Sequence, residues 1–230
     1  MSWNDWIRGI EVEPSLYASD FSRLGEQVEA LLRAEARVFH FDVGDGHFIP
    51  PITTGPIVLG WIAPIVHSAG GVLDCHLMVE APEPHIAQFA EAGADSVTVH
   101  VETCPDLPAV AALAREHGLQ VGLALNPETD VEPAAAAALE AEVDLVLCMS
   151  VHPGYSGQKF IPEALERVRV LRELLPESMR IQVDGGVGLD NILELREAGA
   201  TLFVAATAIF GHEDPALAYR RLAEQAAPRA

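Results

Sequence analysis

Eight short runs rich in β-branched and apolar residues, each followed by a stretch with helical patterning, constrain this chain more than any other feature of its sequence. The runs cover residues 9–15, 37–43, 72–78, 96–101, 120–124, 145–149, 180–183 and 201–204. The helical stretches cover 22–34, 56–66, 84–92, 106–116, 133–140, 162–175, 189–198 and 215–226. Several of these open on proline, whose missing N–H costs nothing at a first helical position, and Gly93, Gly118 and Gly199 stand where helices stop. Strict alternation demands right-handed βαβ units and a parallel sheet. Eight units favour closure into a (β/α)8 TIM barrel, with an open doubly wound sheet as the competing arrangement. No linker or low-complexity break interrupts the pattern, so a single domain is expected over residues 1–230, its barrel core running from about 9 to 226.

Composition narrows the function classes. Half of the residues are hydrophobic, enough for a large core and against disorder. A formal net charge of −20 argues against a nucleic-acid partner, which needs a basic face. It leaves room for a small anion held by backbone N–H groups. No apolar run reaches the roughly 18 residues of a membrane span, so no membrane partner is expected. Residues 1–8 hold Trp3, Trp6 and no apolar run, which does not read as a leader. Cys75, Cys104 and Cys148 show no paired spacing and are expected as buried thiols in a reducing, cytoplasmic setting. The two tryptophans are expected to cover the barrel bottom or to join a subunit contact.

Chemistry in such a barrel sits at the C-terminal ends of the strands. His40 and Asp42 alternate along the second strand and so share a face, while Phe39, Phe41 and Val43 pack outward. Asp74 and His76 repeat the pattern on the third strand, and Asp184 ends the seventh. Two His and two Asp drawn from His40, Asp42, Asp74, His76 and Asp184, converging from different strands on one barrel mouth, suit a divalent cation such as Zn²⁺, Mn²⁺ or Fe²⁺. Gly154, Tyr155, Ser156 and Gly157 follow the sixth strand, Gly185 and Gly186 the seventh, and Ala206 and Thr207 the eighth. Singly each glycine fits a tight turn; three such loops side by side favour an anion site. Lys159, Asp45 and His47 read as solvated loop residues, and His100 as a satisfied contact inside the barrel.

The segments EPSLYASDFSRLGEQV, HFDVGDGHFIPPITTGP, LDCHLMVEAPE, AGADSVTVHVE, VGLALNPET, MSVHPGYSGQKFIPEAL, QVDGGVGLDNI and FVAATAIFG together resemble the ribulose-phosphate 3-epimerase family, from about residue 13 to 211. The resemblance implies a barrel of the ribulose-phosphate-binding type and an isomerase of carbohydrate metabolism. It would epimerise D-ribulose 5-phosphate to D-xylulose 5-phosphate in the pentose phosphate pathway. It implies one divalent ion (Zn, Fe, Mn or Co) on His40, Asp42, His76 and Asp184, with Asp42 and Asp184 as the catalytic acid/base pair. Ser15 and His76 would contact substrate, and the three loops its phosphate. The partner implied is a small sugar phosphate, and the assembly a homo-oligomer.

Inversion beside a ketone needs a base on one face and an acid on the other, with the enediolate stabilised between them. Two carboxylates meet that need, and no redox cofactor is required. Six positions, at four places in the chain, depart from the family pattern. Gly44 replaces the usual Met, Pro51 an Asn, Tyr155 and Ser156 a Phe-Gly pair, and Ala206 and Thr207 a Gly-Ser pair. Gly44 is expected to open space beside the substrate, which makes D-allulose-6-phosphate 3-epimerase the alternative. A non-catalytic sugar-phosphate-binding barrel is the alternative of another class. The related decarboxylases and hexulose-phosphate synthases carry Asp-x-Lys on the third strand, where this chain reads Asp74, Cys75, His76.

Overall fold

Parallel strands covered by helices outside and filled inside need apolar side chains on both faces, and the runs supply them. In a computed structural model describing residues 3–7 and 9–228, the strands are β1 (Glu11–Pro14), β2 (Val38–Gly44), β3 (Val72–Met78), β4 (Ser96–His100), β5 (Gln120–Leu125), β6 (Leu145–Met149), β7 (Arg180–Asp184) and β8 (Leu202–Ala205). The helices are α1 (Trp3–Trp6), α2 (Leu24–Arg33), α3 (Pro56–Ser68), α4 (Glu83–Ala92), α5 (Leu107–Glu116), α6 (Val131–Glu140), α7 (Ala164–Leu174), α8 (Ile192–Ala198), α9 (Thr207–Phe210) and α10 (Pro215–Ala226). The expectations for a domain over 1–230 and for residues 1–8 fall partly outside the described residues.

All ladders are parallel, in the order β1-β8-β7-β6-β5-β4-β3-β2. A bridge between Ser15 and His40 joins the first strand to the second. Sequential order returning on itself makes a nearly closed barrel, and the doubly wound alternative falls. The β2–β3 register sets His40 opposite Asp74 and Asp42 opposite His76, so polar side chains from adjacent strands lie side by side.

Two apolar layers follow from the two-residue period of the strands. Phe39, Phe41, Val43, Leu73, Cys75 and Leu77 face the helices in one cluster. Val38, Val72, Leu145 and Leu202, the first residues of their strands, form the inner cluster with Trp3, Trp6 and Ile7. The tryptophans, edge to face at 5.2 Å, therefore cover the bottom of the barrel. With that end filled by hydrophobic side chains, the polar interior lies at the other. All three cysteines are buried and free.

Element ends differ from expectation where side chains take over backbone bonds. Residues 189–191 do not begin α8. Asn191 Oδ1 accepts from Gly188 N–H at 2.9 Å and its Nδ2 donates to the Gly186 carbonyl at 2.9 Å, tying that turn to the glycine pair. The helix expected from residue 22 opens as a 3-10 turn (Phe21–Arg23) capped by Asp20 before α2 begins. Gly9, at φ +109°, turns the chain before β1.

Candidate active site

His40 is fully buried, with Nδ1 3.0 Å from Asp74 Oδ2. Its Nε2 lies 3.3 Å from Asp42 Oδ1 but has no hydrogen-bond partner. His76 is buried on the neighbouring strand, with Nδ1 3.3 Å from Asp42 Oδ1 and 3.8 Å from Asp184 Oδ2. One ligand atom from each of His40, Asp42, His76 and Asp184 falls within 4.8 Å of the others. A buried nitrogen left unpaired costs on the order of 1–3 kcal/mol. Two imidazole nitrogens and two carboxylates around one point would satisfy a divalent cation of intermediate softness. The residues present fit such an ion.

The layer beneath was not legible as a site. Asp74 accepts from Ser96 Oγ at 2.6 Å and from Gln182 Nε2 at 2.9 Å, and Gln182 also donates to Glu13 Oε2 at 2.6 Å. Asp74 thus anchors His40 from behind. Burial, then the Asp74 charge, raises the Glu13 carboxyl well above its ordinary value. The available signal was alternation: Glu13 precedes Ser15 by two residues and Gln182 precedes Asp184 by two, so each pair shares the inner face. His100, read as a satisfied contact, lies 2.8 Å from His76 through the two Nε2 atoms, and its Nδ1 is 3.1 Å from Glu102.

The two central carboxyls are driven apart. Burial raises both. The charge of His40 overcomes it at Asp42 and brings that carboxyl well below its usual range. At Asp184 burial is reinforced by the Asp42 charge, and the carboxyl is pushed up to about 7. Paired carboxyls whose environments separate them in this way are suited to holding one proton between them.

A cleft opens over this pair. Ser15, Asp42, Asp184, Gly154, Tyr155, Ser156, Gly157, Gly185, Gly186, Ala206 and Thr207 all line it. Ser15 Oγ donates to Asp42 Oδ2 at 2.6 Å. His40 and His76 do not form its wall; both are fully buried. Lys159 and His47 are exposed, and Asp45 accepts from the N–H groups of His47, Phe48 and Glu80, which makes it a loop brace. His152 is also exposed and pairs with Glu128.

Gly44 corrects an expectation. A Cβ there would stand 2.8 Å from the Pro51 carbonyl oxygen and would overlap the Ile49 side chain. The volume that a side chain would claim is already filled from the loop after β2, so Gly44 does not widen the cleft.

The ribulose-phosphate 3 epimerase family matches residues 11–210. The chain belongs to that family. Curated ribulose-phosphate 3-epimerases agree along nearly the whole length. That of Bacillus subtilis is 39% identical over 209 residues, 89% of this chain and 94% of its own. That of a Synechocystis species is 42% identical over 208 residues, 88% of each chain. Membership in the ribulose-phosphate 3-epimerase family makes the chain an isomerase acting on carbohydrates. Among solved structures, a 3-hexulose-6-phosphate synthase from Salmonella typhimurium aligns with TM-score 0.71 and 17% identity, over 94% of this chain and 98% of that one. At that identity the likeness speaks for the barrel alone. On β3, this member of the epimerase family carries Asp74, Cys75 and His76.

Proposed function

We propose that the chain, working as one domain, interconverts D-ribulose 5-phosphate and D-xylulose 5-phosphate by moving a proton on carbon 3 between Asp42 and Asp184. The observation that carries the reading is the pair itself: Asp42 and Asp184 line one cleft, 3.3 and 3.8 Å from the same His76 nitrogen. Asp42 and Asp184 would take the roles of base and acid in one direction, and the reverse reaction exchanges them. Inversion follows because the proton leaves on one side of the flattened carbon and returns on the other. Ser15 holds the Asp42 carboxylate by its hydrogen bond to Oδ2. A divalent cation bound by His40, Asp42, His76 and Asp184 would supply Lewis-acid stabilisation of the negative charge that develops on the substrate oxygens.

Gly154, Tyr155, Ser156, Gly157, Gly185, Gly186, Ala206 and Thr207 would take the phosphate through backbone N–H groups, since no lysine or arginine is among the residues lining the cleft. The six-carbon alternative rested on space at Gly44, and Ile49 occupies that space. Both carboxylates of the pair are present, against a binding-only barrel. We place the enzyme in cytoplasmic pentose phosphate metabolism, with its three free thiols consistent with a reducing compartment.

We also propose that it associates with its own copies. α3 carries no Asp, Glu, Lys or Arg and exposes Ile57 and Trp61 beside Ile52. Copies of a chain with net charge −20 would meet most readily where charge is missing. Sedimentation as a monomer would oppose this.

The main test is NMR in D₂O with ribulose 5-phosphate and allulose 6-phosphate in parallel. Deuterium should enter carbon 3 as the xylulose epimer appears, faster with the pentulose. Asp184→Asn should lower turnover by at least about 10⁴-fold while its circular dichroism stays native, since shape is kept and proton transfer is lost. Wild-type turnover in that variant would sink the two-carboxylate scheme.

A further inference from the structure

His76 presents one ring nitrogen to the candidate ion site and the other to a hydrogen-bond chain that the proposed reaction does not use. His76 Nε2 is 2.8 Å from His100 Nε2, and His100 Nδ1 is 3.1 Å from Glu102 Oε2. Glu102 Oε1 accepts from the Asn126 N–H at 2.8 Å and from the Thr129 hydroxyl. Both imidazoles are fully buried, and Phe48 packs its ring 4.7 Å from that of His100. Neither ring can turn to another partner without moving its neighbours.

The protons in this chain can be placed from its far end. A backbone N–H only donates, so Glu102 is the acceptor at Asn126. An ionised carboxylate accepts on its other oxygen as well, which puts hydrogen on His100 Nδ1. A neutral imidazole carries one N–H, so His100 Nε2 is bare and accepts from His76 Nε2. That leaves His76 Nδ1 bare, and it is this atom that faces Asp42 and Asp184. A bare imidazole nitrogen can ligate a cation, whereas an N–H cannot.

We propose that His100 and Glu102 are positioning residues that fix His76 in its Nε2–H tautomer and so keep Nδ1 open toward the ion. The inference rests on reading His40, Asp42, His76 and Asp184 as a metal site. Through Glu102 it also ties that site to the loop after β5, where Asn126 and Thr129 lie. His40 is served differently, by direct contact of its Nδ1 with Asp74.

Glu102→Gln tests it with little change of shape. The Asn126 N–H and Thr129 hydroxyl would hold the amide oxygen, turning the amide NH₂ toward His100 Nδ1. The donors between residue 102 and His76 would then reverse, and His76 Nδ1 would carry the hydrogen. In metal-free, ¹⁵N-histidine-labelled protein, long-range ¹⁵N–¹H NMR should show the Nε2–H form of His76 in the wild type and the Nδ1–H form in the variant. Co²⁺ affinity should fall roughly 10- to 100-fold with the thermal midpoint of the metal-free protein unchanged, and Glu102→Asp should retain the wild-type tautomer. An Nδ1–H tautomer in the wild type, or unaltered Co²⁺ affinity in Glu102→Gln, would overturn the proposal. If Glu102→Gln does not fold, the wild-type tautomer decides alone. A wild type that binds no Co²⁺ would instead overturn the metal-site reading, with the tautomer still measured separately.

Discussion

An ideal Cβ at Gly44 would lie 2.8 Å from the Pro51 carbonyl and overlap Ile49, a buried side chain five residues further on. Gly44→Ala should therefore destabilise the protein by about 1–3 kcal/mol, the usual result of overfilling a packed site, read as a lower urea midpoint at unchanged slope. Adding Ile49→Val should return part of the loss; an unchanged midpoint in the single variant would mean that the loop yields freely. This position marks the limit of what single residues reveal. That His40, Asp42, Asp74 and His76 point inward was legible because a two-residue period fixes which side chains share a face, while the choice of His40, Asp42, His76 and Asp184 as one set came from the family resemblance. The space at Gly44 was not, because it is filled by a loop residue whose approach depends on the turn between them. The Glu102–His100–His76 chain was hidden for a related reason: its bonds join β3, β4 and the loop after β5, which no local pattern connects.

Loops at the barrel mouth press on one another as strands do below them. Gly186, at φ +64°, approaches the loop after β6 so closely that a Cβ would stand 2.7 Å from the Phe160 nitrogen. Gly186→Ala must strain its own backbone or push that loop aside, at a cost on the order of 1–3 kcal/mol. Because these loops would bind the phosphate, which does not react, the loss should fall on substrate binding. KM for ribulose 5-phosphate is expected to rise about tenfold or more with kcat less affected; steady-state kinetics showing kcat alone reduced would place Gly186 in the chemistry instead. The identity of the eight strands and the eight helical stretches between them was legible, since alternation of strand and helix period is a property of many residues at once. Element ends were not. Asn191 diverts the start of α8, and the short α9 after β8 is a turn too brief for any periodicity to show.

For the whole molecule the weak line is the seam between β1 and β2, where a single bridge from Ser15 to His40 replaces a ladder. The four candidate ligands come from β2, β3 and β7, so an ion held among them would tie both sides of the mouth across that seam. At a free concentration of 100 Kd it would add about 2.7 kcal/mol, or roughly 5–10 °C of thermal midpoint for a chain of this size. Without the ion, stability should depend on pH with a definite sign. A carboxyl whose value rises from 3.8 to about 7 on folding, as at Asp184, supports the folded state while protonated and withdraws that support as pH climbs through 7. His40 acts in the same direction: burial lowers it, but the Asp42 charge and its bond to Asp74 outweigh burial and raise it well above 6.5. His76 and His100 are lowered, chiefly by burial, and oppose this only below 6.5. Between pH 6.5 and 8 the chelated protein should therefore lose stability as pH rises, and amides of β2 should exchange faster with solvent than in the loaded protein. A bound divalent cation, which favours both carboxylates ionised and His40 neutral, should flatten that slope. Thermal melts at the two pH values with chelator and with Co²⁺ would measure it, and identical melts in all four samples would mean that these residues hold no ion.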